Sequence, residues 1–326
     1  MKNLISIICT TYNEEKLIAK TLESFINQEK DGFDTEILVV DGFSIDSTRE
    51  IVKSYCEKYS NVKLIDNPER KNPFGRNLGV QNANGNYIAL MGGHTVYKND
   101  YLKTCLEEMK IKNADGVGGK VITCACENTS EAQIIELLLT SKFGVSASSF
   151  RTIKEGFTNM INFPVFKKEV FEKVGVYDTR LIRNQDNDFN ARAEEAGFKL
   201  YSTWKTECYY YPDDTFQRTL YYAYRNGFWN AKSFLKNSAG LKLYHYAPFF
   251  FVTALIFFGI LSFFSVFFFI LFFGLFFLHL LSGFIFAMQI KKYKSIKNIL
   301  SLPFLFFAFH FSYGWGTLKG FFSNKI

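Results

Sequence analysis

Between Leu243 and Ile290 the sequence has no aspartate, glutamate, lysine or arginine, and from Ala247 to Met288 it is almost wholly apolar. One helix needs about 20 apolar residues to cross a bilayer, so the 48 uncharged residues suffice for two crossings. A wholly soluble chain is excluded. Acidic residues and arginine are also missing from 247–326, where six lysines remain. The formal net charge of +7 is concentrated in that tail, leaving the first 246 residues close to neutral. Without a basic patch in those residues, nucleic acid is excluded as a partner. The six cysteines, at 9, 56, 105, 124, 126 and 208, form no CxxC pair and no zinc spacing, as expected of reduced structural thiols. The N-terminal run MKNLISIICTTYNEE is too short in apolar residues for a signal peptide and turns acidic at once. A cytoplasmic first domain is expected.

What is present is aromatic and periodic. There are 38 phenylalanines, unevenly placed. In the first 120 residues strand-like and helix-like segments alternate. Strands are expected at 4–9, 36–40, 62–65 and 87–90. Helices are expected at 13–27, after Ser47, and at 75–83. This βαβαβαβ order predicts an α/β fold with a mostly parallel sheet and helices on both faces. In such sheets ligands bind beyond the carboxyl ends of the strands. Three polar clusters stand there: Thr10-Thr11-Tyr12-Asn13-Glu14, Asp41-Gly42-Phe43-Ser44-Ile45-Asp46, and Gly92-Gly93-His94. Further on, the pattern predicts a strand at 115–123, a helix at 130–139, a small-residue loop at 141–149, a strand entering a helix over 163–174, and a helix at 186–196.

Several ordered motifs resemble the inverting family 2 glycosyltransferases. IICTTYNEE (7–15) resembles the family's opening strand and Asn-Glu loop, and VVDGFSIDST (39–48) its nucleotide-binding loop. GRNLG (75–79) resembles ARNxG, and LMGGHT (90–95) falls where the family has Asp-x-Asp. KVGVYDTRLIRNQDNDFNARAEEAG (173–197) resembles the acceptor-side signature around Glu-Asp. The resemblance spans about 4–235 and implies a GT-A fold, Rossmann-like, in a domain of 1–235. An interfacial segment and membrane region would follow over 236–326. The nearest pattern is the membrane-anchored exopolysaccharide (succinoglycan-type) glucosyltransferase branch, in which a His can end the Asp-x-Asp motif.

The resemblance also implies roles. Asp41 would accept the imide N–H of a uracil-like base, with Thr11 and Glu14 bordering the nucleotide; a turn residue and a first-turn helix acid are the plainer readings. Asp46 would tie down its loop or cap the next helix. Arg76 would meet the diphosphate, since a guanidinium matches phosphate oxygens bidentately. Gly92, Gly93 and His94 take the Asp-x-Asp positions, placing His94 at a divalent cation, Mn²⁺ or Mg²⁺, or at the diphosphate itself. Gly92 lacks the first carboxylate. Asp186 would be the general base that takes the acceptor hydroxyl's proton during in-line attack. Gln185 replaces the usual Glu, and Asp188 stands nearby. Asp178 reads as a turn residue, and Arg192 as facing an acidic partner. Arg225 and Trp229, in an aromatic amphipathic helix at 216–232, would close over the diphosphate or anchor at the bilayer interface.

Membrane helices are expected at about 247–264, 268–288 and 302–322. Two crossings return the chain to the cytoplasm at Lys291, Lys292, Lys294 and Lys297, in accord with the positive-inside rule. A third would leave the SNKI tail outside. His310 reads as a packed residue or a lipid-phosphate contact. The expected protein is a multi-pass enzyme of the cell (inner) membrane with a cytoplasmic catalytic domain. It would move a sugar from a nucleotide-diphosphate donor, UDP-linked by preference, to a lipid-linked saccharide acceptor in extracellular polysaccharide assembly. The alternatives are a polyprenyl-phosphate sugar synthase and a non-catalytic membrane protein that binds sugar nucleotides or glycans.

Overall fold

The computed structural model describes residues 3–145, 151, 153–236 and 243–323. The expected loop at 141–149 therefore lies partly outside the described residues, as does most of the SNKI tail. The chain divides into two units, 1–122 with 153–211, and 123–152 with 212–326.

The first unit opens with β1 (Asn3–Thr11), α1 (Ile18–Ile26), β2 (Phe33–Asp41), α2 (Thr48–Lys58), β3 (Val62–Asp66) and α3 (Asn72–Gln81). β4 (Tyr87–Gly92), β5 (Thr95–Tyr97), α4 (Tyr101–Lys112) and β6 (Gly116–Thr123) follow. The chain passes through α5 (Ser130–Thr140) of the second unit. It then completes the first with β7 (Gly156–Phe157), β8 (Val165–Lys167), α6 (Lys168–Val174), α7 (Gln185–Glu195) and β9 (Leu200–Tyr210).

All nine strands join one sheet, in the order β3-β2-β1-β4-β8-β6-β9-β5, with β7 on β9. β3, β2, β1 and β4 are parallel. From β8 onward the recorded pairings are antiparallel. The apolar runs explain the parallel half. Ile5, Ile7, Ile8 and Cys9 of β1, and Ile37 to Val40 of β2, are all fully buried, as strands covered on both faces require. Phe171 and Tyr177 stack on Phe189, Phe166 meets Phe171 and Phe189 edge-on, and together they carry α6 and α7 onto the same core as Ile8, Leu38 and Ile88.

α1 starts at Ile18, five residues later than its apolar spacing suggests. Asn13 takes a positive φ of 56°, and the Glu14 carbonyl accepts the amides of Leu17 and Ile18 in a turn before the helix begins. β5 and β7, three and two residues long, are too short to leave a periodic signal.

In the second unit α8 (Phe216–Leu235) precedes a 3₁₀ turn (Leu243–Tyr246), α9 (Ala247–Leu261), α10 (Val266–Met288) and α11 (Ile296–Phe322). Ile135 and Leu138 of α5, Ala223 of α8, and Leu302, Phe306 and Phe309 of α11 share one buried cluster. α10 and α11, at 23 and 27 residues, are each long and apolar enough to cross a membrane. α9 is shorter than expected, 15 residues, or about 22 Å along its axis against a hydrocarbon core of about 30 Å. α11 starts six residues earlier than expected. Its Ser295 cap accepts the Asn298 amide, and the apolar face begins only after that polar first turn. His310 packs: its Nδ1 lies 3.0 Å from Nε2 of His279 on α10.

Candidate active site

β1 leads to β2 and β3 on one side, whereas β4 joins on the other. The strand order therefore reverses between β1 and β4, and the crevice at their carboxyl ends is where α/β sheets bind ligands. Thr11 pairs with Asp41 and Thr10 with Gly92 in strand register, so the three polar clusters of the sequence meet there.

The Asp41 carboxylate is fully buried. It accepts the Thr11 hydroxyl at 3.1 Å, the Ser44 amide at 2.9 Å and the Ser44 hydroxyl at 2.5 Å. The Arg49 guanidinium, 2.8 Å away, neutralises it and reaches on to Asp66 at 2.7 Å. Both carboxylates hold the Arg49 guanidinium above its ordinary value, against its desolvation. Arg49 and Arg70 each lie 5.4 Å from the ring centre of Phe43, which is partly exposed. Asp46 ties the loop down, accepting the amides of Thr48 and Glu15. Burial pushes its carboxyl up, but those hydrogen bonds hold it below the ordinary range.

At the end of β4, His94 Nδ1 stands 2.8 Å from Glu14 Oε1. A carboxylate only accepts, so Nδ1 carries the proton that faces Glu14. Glu14 is thus not a first-turn helix acid but the partner of His94. The ring meets Tyr210 edge-on at 5.1 Å, and Tyr211 donates its amide to the His94 carbonyl. Both glycines stand at close approaches. A Cβ on Gly93 would lie 2.8 Å from Thr11 Cγ2, and one on Gly92 3.0 Å from the Phe163 ring. The Phe163 ring stands closest to where a side chain at Gly92 would begin.

A second cluster forms where α3 and α7 begin. Tyr177 and Asn77 exchange two 2.9 Å bonds, which fix the loop before α7 against α3. The Arg76 guanidinium lies 5.1 Å from the Tyr177 ring centre. Burial pushes the Tyr177 phenol up to about 12, with Arg76 lowering it and Asp186 raising it, so both charges act on one ring. Asp186 is in the first turn of α7, half-buried, with Oδ1 accepting the Asn187 amide at 3.0 Å. Gln185 is buried, its Nε2 is 3.5 Å from Asn72, and Asn72 donates to Thr10 at 3.3 Å. This chain links the α7 cluster to the end of β1. Asp188 is held by Arg192 at 2.9 Å, the acidic partner expected for that arginine. Asp178 closes a turn on Arg180 at 2.7 Å.

Thr11, Glu14, Asp41, Gly92, Gly93 and His94 therefore share one cluster, and Arg76 and Asp186 a second beside it. Arg225 and Trp229 are on α8 in the second unit, Trp229 buried and Arg225 against Tyr221. The sequence reading missed Arg49, Asn72, Tyr177 and Phe163. GRNLG contains the Asn77 that anchors Tyr177, but only the fold shows what it holds.

The crevice lies at the switch point of the sheet, where α/β folds bind ligands, and is bordered by an acid at a helix N-terminus. The Glycosyl transferase family 2 profile matches residues 6–175. The chain belongs to that family and is a glycosyltransferase. It is 31% identical, over 98% of this chain and 97% of that protein, to dolichyl N-acetyl-alpha-D-glucosaminyl phosphate 3-beta-D-2,3-diacetamido-2,3-dideoxy-beta-D-glucuronosyltransferase of Methanococcus voltae. Against the succinoglycan biosynthesis protein ExoA of Rhizobium meliloti it is 28% identical over 73% of this chain and 71% of that one. Among solved structures, the mannosyltransferase PcManGT from Pyrobaculum calidifontis, in complex with GDP-Man and Mn²⁺, shares the fold. Its TM-score is 0.65 at 15% identity, covering 100% of this chain and 89% of that chain.

Proposed function

We propose that the protein is a membrane-anchored inverting glycosyltransferase that moves a sugar from a UDP-linked donor to a saccharide carried on a lipid. The observation that carries the reading is the position of Asp186 in the first turn of α7, next to Gln185, which is joined through Asn72 to Thr10 at the end of β1 in the crevice. The relative in M. voltae is named for a dolichyl-phosphate-linked acceptor, and ExoA for succinoglycan. The first supports a lipid-linked acceptor, the second a role in extracellular polysaccharide assembly.

Asp41 orients the base. Two of its four donors are hydroxyls, which rotate, so one can yield its place to an imide N–H. Arg76 faces the diphosphate. Asp186 takes the proton from the acceptor hydroxyl as its oxygen attacks the anomeric carbon, opposite the departing diphosphate. α10 and α11, with the lysines between them, hold the enzyme at the inner membrane with its first unit cytoplasmic.

Among the described residues no three His, Cys, Asp or Glu side chains converge on a point that could hold a metal ion. An imidazole oriented through Nδ1 by a carboxylate is nonetheless the usual arrangement of a metal-binding histidine. His94, backed by Glu14, fits a divalent ion that takes its other ligands from the donor's phosphates and water. Such an ion would neutralise the departing diphosphate. Mn²⁺ suits an imidazole better than Mg²⁺.

The test is nucleotide release from a panel of UDP- and GDP-sugars with membrane extract as acceptor. Release from a UDP-sugar that depends on extract is expected. No release from any donor would leave a binding protein instead.

A further inference from the structure

We propose that the apolar groove between α10 and α11 holds a polyisoprenyl phosphate, its chain in the groove and its phosphate against Lys294 and Lys297. This rests on the lipid-linked acceptor reading above and states where the lipid is held.

The groove, about 480 Å³, is lined by Phe277, Leu281 and Phe284 of α10 and by Leu300, Pro303 and Phe304 of α11. The two helices cross closely beside it: a Cβ on Gly283 would lie 3.1 Å from Pro303 Cα. The large side chains on either side stand as walls and are mostly exposed. On α10, positions 277, 281 and 284 follow i, i+4, i+7. On α11, Lys297, Leu300 and Phe304 follow i, i+3, i+7, so Lys297 lies on the groove face one turn beyond its end.

The lysines there are not equivalent. Lys292 is already committed, 2.5 Å from the buried carboxylate of Glu136 and over the Tyr293 ring. Lys291, Lys294 and Lys297 are exposed, and among the described residues none has an acidic side chain within ion-pairing distance. The first-turn amides of α11 add positive potential at the same end. An apolar groove ending in uncompensated cations matches a ligand with a hydrocarbon chain and an anionic head. A single-chain isoprenoid phosphate is such a ligand.

The probe is a photoreactive polyprenyl phosphate, added to the full chain in phosphatidylcholine nanodiscs and mapped by mass spectrometry. Labelling is expected on α10 and the first half of α11, competed far better by undecaprenyl phosphate than by phosphatidic acid. Lys294→Glu with Lys297→Glu should cut labelling about tenfold or more, given about 1 kcal/mol per cation near an anionic head. Leu281→Trp should cut it by filling the groove. Equal competition by phosphatidic acid would show an ordinary membrane lipid there and overturn the proposal, as would labelling that survives both changes. Nucleotide release from the same nanodiscs separates the two ideas. Release without labelling sinks the groove alone, whereas specific labelling without release upholds the groove and sinks the transfer reading.

Discussion

Restoring the missing acid at Gly92 is the sharpest test of how this site is built. Gly92 ends β4 without a positive φ, so an L-residue is permitted by the backbone. The obstacle is space. An added Cβ meets Phe163 Cε1 at 3.0 Å and Thr95 Oγ1 at 3.2 Å. Phe163 cannot swing away freely, because its ring meets Tyr97 edge-on at 5.8 Å and its carbonyl accepts the Tyr101 hydroxyl at 2.9 Å. Tyr97 and Tyr101 are both buried. Overpacking of this kind costs about 1–3 kcal/mol, reduced by about 0.4–1 kcal/mol for the flexibility that glycine gives the unfolded chain. Gly92→Asp should therefore lose about 1–2 kcal/mol, or about 2–8 °C in Tm for a domain of this size. It should gain no Mg²⁺ dependence. Gly92→Asp with Phe163→Ala should recover part of the loss relative to the two single changes, and only then bring a carboxylate to the metal. Calorimetry of all four proteins gives the coupling. A Gly92→Asp protein as stable as the wild type, or a coupling near zero, would refute the steric account.

Three further outcomes are expected. His94→Ala should weaken donor binding and abolish stimulation by Mn²⁺, while His94→Asp should shift preference towards Mg²⁺; calorimetric titration of UDP with each ion checks both. Burial pushes the Glu36 carboxyl up, but the Ser6 hydroxyl and the Asn84 amides outweigh it and hold the group below its ordinary value. Its stabilisation is then present above the unfolded value and lost as pH falls through the lower folded one. Glu36→Gln should cost about 1–3 kcal/mol in urea unfolding at pH 7, with the gap from wild type narrowing near pH 3. Asn77→Ala removes both bonds that seat Tyr177 and should lower the turnover rate more than it weakens nucleotide binding, as steady-state kinetics beside UDP titration would show.

The parallel half of the sheet was legible because each buried strand is a short apolar run ending in polar residues, as in Leu4–Cys9 and Tyr87–Leu90. The motifs then placed Asp41, His94 and Asp186 at the carboxyl end of that sheet or beside it. In the antiparallel half the expected strand at 115–123 matches β6 and the strand-to-helix segment at 163–174 matches β8 and α6, whereas β5 and β7 are too short for a period to show. Partnerships were hidden for a different reason. The Glu14–His94 pair spans 80 residues and the Asn77–Tyr177 pair 100, and no local pattern links such positions. The plainer reading of Glu14 as a helix acid fails because a turn at Asn13 precedes the helix, with Ser44 accepting the Asn13 amide. The missing Asp at Gly92 was visible in the sequence, but the Phe163 ring that crowds this position belongs to a segment about 70 residues away.

The central claim is that Asp186 serves as the base in transfer from a UDP-sugar with inversion. The most direct measurement follows the product's anomeric proton by NMR with wild-type protein and Asp186→Asn, beside UDP binding by calorimetry. The account predicts an anomeric configuration opposite to the donor's, a rate about 10²–10⁴ lower in the variant, and UDP affinity within a few-fold of wild type. Wild-type turnover by Asp186→Asn, or a product that retains the donor's configuration, would contradict it.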